Sequence, residues 1–151
     1  MSVCTFIASD HPLAEVMPPQ DYPIHINIDE GTVDDGGADD NFSLRNFAEV
    51  GCYSDKQYGV TLEWRYTEGR ARRIAAYIED ALQQTDAIEL WHVWLTDYYE
   101  YEDSPVIHRQ TISAAELTAE DIRELDDAEI FNKPDKRYPE RPSFYCLTVT
   151  R

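Results

Sequence analysis

The run AIELWHVWL, residues 87–95, constrains this chain more than any other stretch. It has the length of a strand and is apolar on both of its sides. Alternation puts Ile88, Leu90 and Trp94 on one face and Trp91, Val93 and Leu95 on the other. A strand of that kind sits in a sheet that is covered on both faces. The fold must therefore place material above and below it.

The neighbouring pattern supplies one layer. Val60, Leu62, Trp64 and Tyr66 alternate with Thr61, Glu63 and Arg65, which is the signature of a half-buried strand. After Gly69 the period changes to 3.6. Ala71, Ile74, Ala75, Ile78, Ala81 and Leu82 fall on one stripe and predict an amphipathic helix. VIHRQTI reads as a further strand. Ser113 with Glu116, and Thr118 with Asp121, have the spacing of helix-start capping boxes, and Ile122 and Leu125 follow on one face. SFYCLTVT is the closing strand, reached through the proline-broken basic loop NKPDKRYPERP.

From about residue 59 to residue 151 the order is βαββαβ, the split-βαβ order of a ferredoxin-like α+β unit. In that topology the Val60 strand pairs with the closing strand, and Trp64 and Trp94 belong to the core. Both helices share one face and leave the other open. Residues 1–58 are the natural cover for it, as an N-terminal extension of a single domain over residues 1–151. They contain two probable strands, VCTFIA and the alternating Ile24, Ile26 and Ile28. A symmetric homodimer is the competing cover. Residues 29–41, DEGTVDDGGADDN, have no apolar period and read as an exposed, mobile acidic loop.

Charge narrows the function. The chain of 151 residues carries 30 acids against 13 lysines and arginines, for a net −17. Residues 1–50 hold ten of the acids and one base, Arg45. Such a surface repels phosphate backbones, so direct nucleic-acid binding is not expected. No segment has the length and apolarity of a membrane span. The N-terminus has no basic region followed by an apolar run, so no signal peptide is expected. Cys4, Cys52 and Cys146 are odd in number and widely spaced. That predicts neither a disulfide framework nor a structural zinc site, and it suits a reducing cytoplasm. No motif calls for a cofactor.

Several groups are candidates for chemistry. DYYEYED, residues 97–103, interleaves Tyr98, Tyr99 and Tyr101 with Asp97, Glu100, Glu102 and Asp103. As the connection between two strands it reads either as a solvated turn or as a partner-binding tip, since tyrosine brings large contact area at small entropic cost. Glu63, Arg65, His92 and Arg109 are the possible lining of a pocket on the open sheet face, with ion pairing as the plainer alternative. Arg70, Arg72 and Arg73 crowd a helix N-terminus, where the dipole disfavours cations. Either an anion binds there or the arginines pair with surplus carboxylates, Glu68 or the acidic loop among them. Residues 29–41 lose the calcium-loop rhythm after Gly31, so no metal site is expected. Cys4 reads as a core residue of the first strand.

These features point to a non-enzymatic, acidic cytoplasmic interaction module that binds a basic partner, either immunity- or inhibitor-like or a nucleic-acid mimic. The alternative is a small-molecule-binding or enzymatic α+β domain that uses the open-face pocket.

Overall fold

Val3–Ser9, the first strand β1, is buried at every position after Val3. That burial decides the architecture, because a strand hidden on both faces belongs in the middle of a sheet. The structure is a computed structural model that describes residues 2–95, 97–127 and 136–151, with the side chains of Tyr98 and Asp127 outside that set. Asn132 to Asp135 of the basic loop also lie outside it.

The strands continue with β2 (His25–Asn27), β3 (Thr32–Asp34), β4 (Ser43–Asn46) and β5 (Tyr58–Glu63), with a 3-10 turn at Ala48–Cys52 before β5. Helix α1 (Glu68–Ala81), β6 (Ala87–Trp94) and the single turn α2 (Asp97–Glu100) follow. The chain ends with β7 (Ile107–Ser113), α3 (Ala119–Asp127) and β8 (Phe144–Thr150). Six strands form one mixed sheet in the order β4-β5-β1-β6-β8-β7. Every pairing is antiparallel except β7 with β8. The hairpin β2–β3 stands apart as a second small sheet. The protein is thus a mixed α+β fold.

The expected ferredoxin-like pairing is corrected here. β8 pairs with β6 and β7, and β5 pairs with β1 and β4. β1 lies between β5 and β6, the position that a ferredoxin-like unit would give to β7. The reason lies in the side chains. His108, Arg109, Gln110 and Thr111 give β7 a polar middle that remains half-buried or exposed, which suits an edge strand. The apolar β1 takes the centre instead. Residues 1–58 are therefore not simply an extension laid on the sheet, because they supply a central strand and one edge, β4.

Both long helices cover one face, as their stripes predict. Thr67 caps α1, its hydroxyl accepting from the Arg70 amide at 3.1 Å. Thr118 and Asp121 cap α3 reciprocally, with the Thr118 amide donating to Asp121 at 2.8 Å and the Asp121 amide to Thr118 at 3.4 Å. Ile74, Ile78, Ile122 and Leu125 pack on Ile7, Leu44, Leu90 and Leu147. Each such side chain, once fully buried, stabilises the fold by about 1.5–3 kcal/mol.

The opposite face is covered by the turn before β5. Phe47, Val50 and Tyr53 fold over Phe6, Trp91, Phe144 and Cys146. The rings of Phe6 and Phe47 lie 4.6 Å apart, and Phe6 stacks on Trp91 at 5.9 Å. Part of the N-terminal third does cover the open face, by this short turn rather than by its strands. The wholly buried tryptophan is Trp91, whereas Trp64 and Trp94 are half-buried at the rims of the two apolar clusters. Both lie where their strands run out of the core.

Candidate interaction surface

The stretch DYYEYED does not form a hairpin tip. β8 lies between β6 and β7, so residues 97–106 cross over the end of β8 at the side where β8 begins. Asp97 is wholly buried there, and so is Arg141, which arrives just ahead of β8. The guanidinium grips the carboxylate with two parallel bonds, Nε to Oδ1 at 2.7 Å and Nη2 to Oδ2 at 2.6 Å. Nη2 also donates to the Asp103 carbonyl at 2.8 Å. The ring of Tyr101 lies 4.4 Å from the guanidinium carbon and packs on Tyr138 at 5.0 Å. Tyr138 and Arg137 both reach the Asp103 carboxylate, at 3.3 and 3.5 Å. Asp97, Tyr101 and Asp103 thus form a clasp that closes one end of the sheet. Tyr99, Glu100 and Glu102 remain exposed, while the Tyr98 side chain lies outside the described residues. A cavity of about 310 Å³ opens beside the clasp, between Tyr53, Tyr101 and Phe144.

A second arginine organises the acidic loop. Arg70 is wholly buried, not displayed to solvent as the anion-site expectation requires. Its guanidinium donates to the Ala38 carbonyl at 3.0 Å, the Arg65 carbonyl at 2.9 Å and the Asp35 carboxylate at 3.2 Å. That hydrogen bond is the main reason the Asp35 carboxyl is held below its ordinary pKa. Arg72 pairs with Glu68, and Arg73 is exposed. The three arginines do not converge. A Cβ at Gly69 would overlap the Asp39 carboxylate, so the chain's own acid already crowds the start of α1. Residues 29–41 are therefore no free loop: Asp35, Ala38 and Asp40 are half-buried and held by Arg70 and the Tyr22 hydroxyl.

The four residues proposed as a pocket are also dispersed. Glu63 ends β5 beside Arg45 and Ser43, and Arg65 donates to the Val33 carbonyl at 2.6 Å. Arg109 lies three strands further across the sheet from β1, on edge strand β7, with its guanidinium 5.2 Å from the Trp91 ring. His92 points to the helix side, where its Nδ1 hydrogen donates to the Leu125 carbonyl at 2.8 Å. Burial pushes its pKa down, which the Leu125 bond only partly offsets. Cys4 and Cys146 are buried, and burial raises both thiols, Cys146 to about 12. Cys52 is exposed. Among the described residues no three His, Cys, Asp or Glu side chains gather as metal ligands, and no helix is long and apolar enough to cross a membrane.

The surface that sequence reasoning missed is the β2–β3 hairpin. Its register pairs Ile26 with Val33 and His25 with Asp34. All six strand residues are exposed. The turn closes at Gly31, whose φ of 65° lies in the left-handed region that glycine tolerates. Thr32 and Val33, both β-branched, were the available signal for β3, and the surrounding acids masked it. Beside the hairpin a groove of about 530 Å³ runs to the β4–β5 edge between Met17, Tyr22, Ile24, Val33 and Trp64.

No family model matches the chain, and no curated protein or solved structure matches it at a significant level.

Proposed function

We propose that the protein is a non-enzymatic cytoplasmic interaction module that binds a basic protein, in the manner of an immunity protein, an inhibitor or a nucleic-acid mimic. The observation that carries this is how the charge is distributed. Basic side chains turn to the chain's own carboxylates: Arg70 to Asp35, Arg141 to Asp97, Lys56 to Asp10 and Arg123 to Glu120. The first lysine or arginine in the chain is Arg45, so Asp21, Asp29, Glu30 and Asp34 lie exposed in a stretch with no lysine or arginine of its own, approached from the body by Arg65 at the Val33 carbonyl. Such a field speeds encounter with a cationic partner and makes binding salt-dependent. The buried, proton-retaining Cys4 and Cys146 and the dispersal of Glu63, Arg65, His92 and Arg109 favour this reading over the pocket alternative.

The test is capture from a lysate of the source organism by the immobilised full chain, at low and at high salt. Retention of basic proteins at low salt and their release at high salt is the expected result. Retention that ignores salt, or that selects neutral and acidic proteins, would overturn the reading.

A further inference from the structure

We infer that the outward face of the β2–β3 hairpin is a docking site for the apolar side chains of a lysine- or arginine-rich partner protein. This rests on the proposed function and adds where the partner is held and by what chemistry. Ile24, Ile26, Ile28 and Val33 are 65%, 69%, 88% and 45% exposed. Ile26, the middle residue of β2, shares one side of the ribbon with its cross-strand partner Val33, and Ile24 and Ile28 flank β2 at its two ends.

A hairpin of two three-residue strands does not stand by itself in water. Here it is held from behind. Arg65 fastens the Val33 carbonyl, and Arg70 fastens Asp35 just past the end of β3. The Tyr22 hydroxyl, ahead of β2, donates to Asp40 at 2.7 Å. The body thus fixes the ribbon with its isoleucines outward. Met17, 56% exposed, and the groove beside Tyr22 and Trp64 continue the apolar surface toward the sheet. Apolar side chains gathered in this way mark contact surfaces more often than isolated exposed ones do.

The rim names the occupant. Asp29 and Glu30 follow Ile28 directly, Asp21 precedes Ile24 by three residues, and Asp34 follows Val33 on the reverse side of the ribbon; all four are exposed. A partner that buries the isoleucines must bring cations to that rim or leave carboxylates facing apolar surface. A second copy of this chain brings the same acids to the same place, on top of a net −17 for each copy. Four apolar side chains also fall short of the roughly 800 Å² per partner that a stable interface takes, so charge must supply the rest. An anionic membrane surface is repelled by the same rim.

The test titrates the full chain into labelled short peptides and reads fluorescence anisotropy. The probes are a peptide alternating lysine with valine, the same peptide with serine for valine, and the same peptide with glutamate for lysine. Each is measured against wild type and against Ile26→Ser with Val33→Ser, with Ile28→Ser as a second variant if the first melts early. The lysine-valine peptide should bind wild type about tenfold or more tightly than it binds the variant, a difference of about 1.4 kcal/mol. The lysine-serine peptide should bind both proteins equally and weakly, and the glutamate peptide neither. If the two lysine peptides bind alike and the variant makes no difference, charge alone is recognised. The docking face is then wrong while the basic-partner reading survives. If no lysine peptide binds better than the glutamate peptide, both fall. Self-association of wild type in sedimentation, lost in the variant, would give the face to a second copy and overturn the inference.

Discussion

Two acidic stretches of this chain look alike in sequence and behave oppositely in the fold. DYYEYED mixes acids with tyrosines, and residues 21–34 mix acids with isoleucines. The first is drawn inward by Arg141, which comes from 38 residues beyond Asp103 and places its whole guanidinium between Asp97 and the Asp103 carbonyl. The second keeps its apolar side chains and its rim acids in solvent. Local composition does not separate the two cases. A distant arginine does, because a wholly buried guanidinium needs a carboxylate and carbonyls to replace its water. A buried clasp and a ribbon whose side chains face solvent should therefore respond very differently to mutation.

The largest effect is expected at the clasp. Arg141→Ala leaves the Asp97 carboxylate buried without its cation and removes the support under Tyr101. Breaking one side of a buried pair costs about 3–5 kcal/mol. Urea titration of wild type and variant measures it. The double change Arg141→Met with Asp97→Leu should recover much of the loss, because no buried charge remains. A single-mutant cost under about 1 kcal/mol would mean that DYYEYED is an open loop after all.

Next comes Arg70, the clamp between α1 and the acidic loop. Arg70→Ala removes donors to Ala38, Arg65 and Asp35 together. A cost of about 2–4 kcal/mol is expected, smaller than at Arg141 because Asp35 stays partly in water and can rehydrate. Protease cleavage between residues 29 and 41 should quicken at the same time. Unchanged cleavage and stability would show that the loop is held without the clamp.

The same contrast reaches the pH profile. Arg70 holds the Asp35 carboxyl below its ordinary pKa, so the unfolded chain binds more protons there than the folded one. That contribution is present above the ordinary carboxylate value and is lost as pH falls through the folded pKa. His92 works in a higher window. Burial lowers its pKa from 6.5, so its contribution is present above that value and fades as pH drops below it. Stability measured against pH should therefore fall in two stages on the acid side. His92→Gln should remove the upper stage, and Asp35→Asn should diminish the lower one. A wild-type profile flat from about pH 7 to pH 5 would contradict the assignment of His92.

How much of this was legible depends on the range of the signal. The α1 stripe from Ala71 to Leu82, the two-sided strand β6 and the Thr118–Asp121 cap are written in adjacent residues, and each was readable. The sheet order was not. It follows from a competition for the centre that β1 wins because it is apolar on both faces, while β7 yields because of His108, Arg109, Gln110 and Thr111. That comparison is between strands about 100 residues apart, and reading the chain from residue 60 onward leaves β1 out of it. The arginines were legible as unusual, and pairing with Glu68 or the acidic loop was one of the two readings open for them; that Arg70 alone goes inward was not legible. Residues 65–73 crowd Arg65, Arg70, Arg72 and Arg73 together, yet two of the three groups that take the Arg70 guanidinium, Asp35 and the Ala38 carbonyl, lie far back in the chain.

The smallest effect is expected at the ribbon. Ile26→Ser with Val33→Ser removes apolar surface that is already 69% and 45% exposed, so little transfer free energy is at stake. The pairing of Ile26 with Val33 is a backbone ladder, which serine can also make. The fastenings at Arg65, Asp35 and Tyr22 do not involve the two side chains that change. Stability should stay within about 0.5–1 kcal/mol of wild type, the range of ordinary surface substitutions. Solubility at high protein concentration should rise, because the exposed apolar face is reduced. The measurement is a pair of thermal melts beside a pair of urea titrations. A loss comparable to that of Arg141→Ala would mean that the isoleucine face packs on the body, and the hairpin would then belong with the clasp, an internal element and not a surface kept open for a partner.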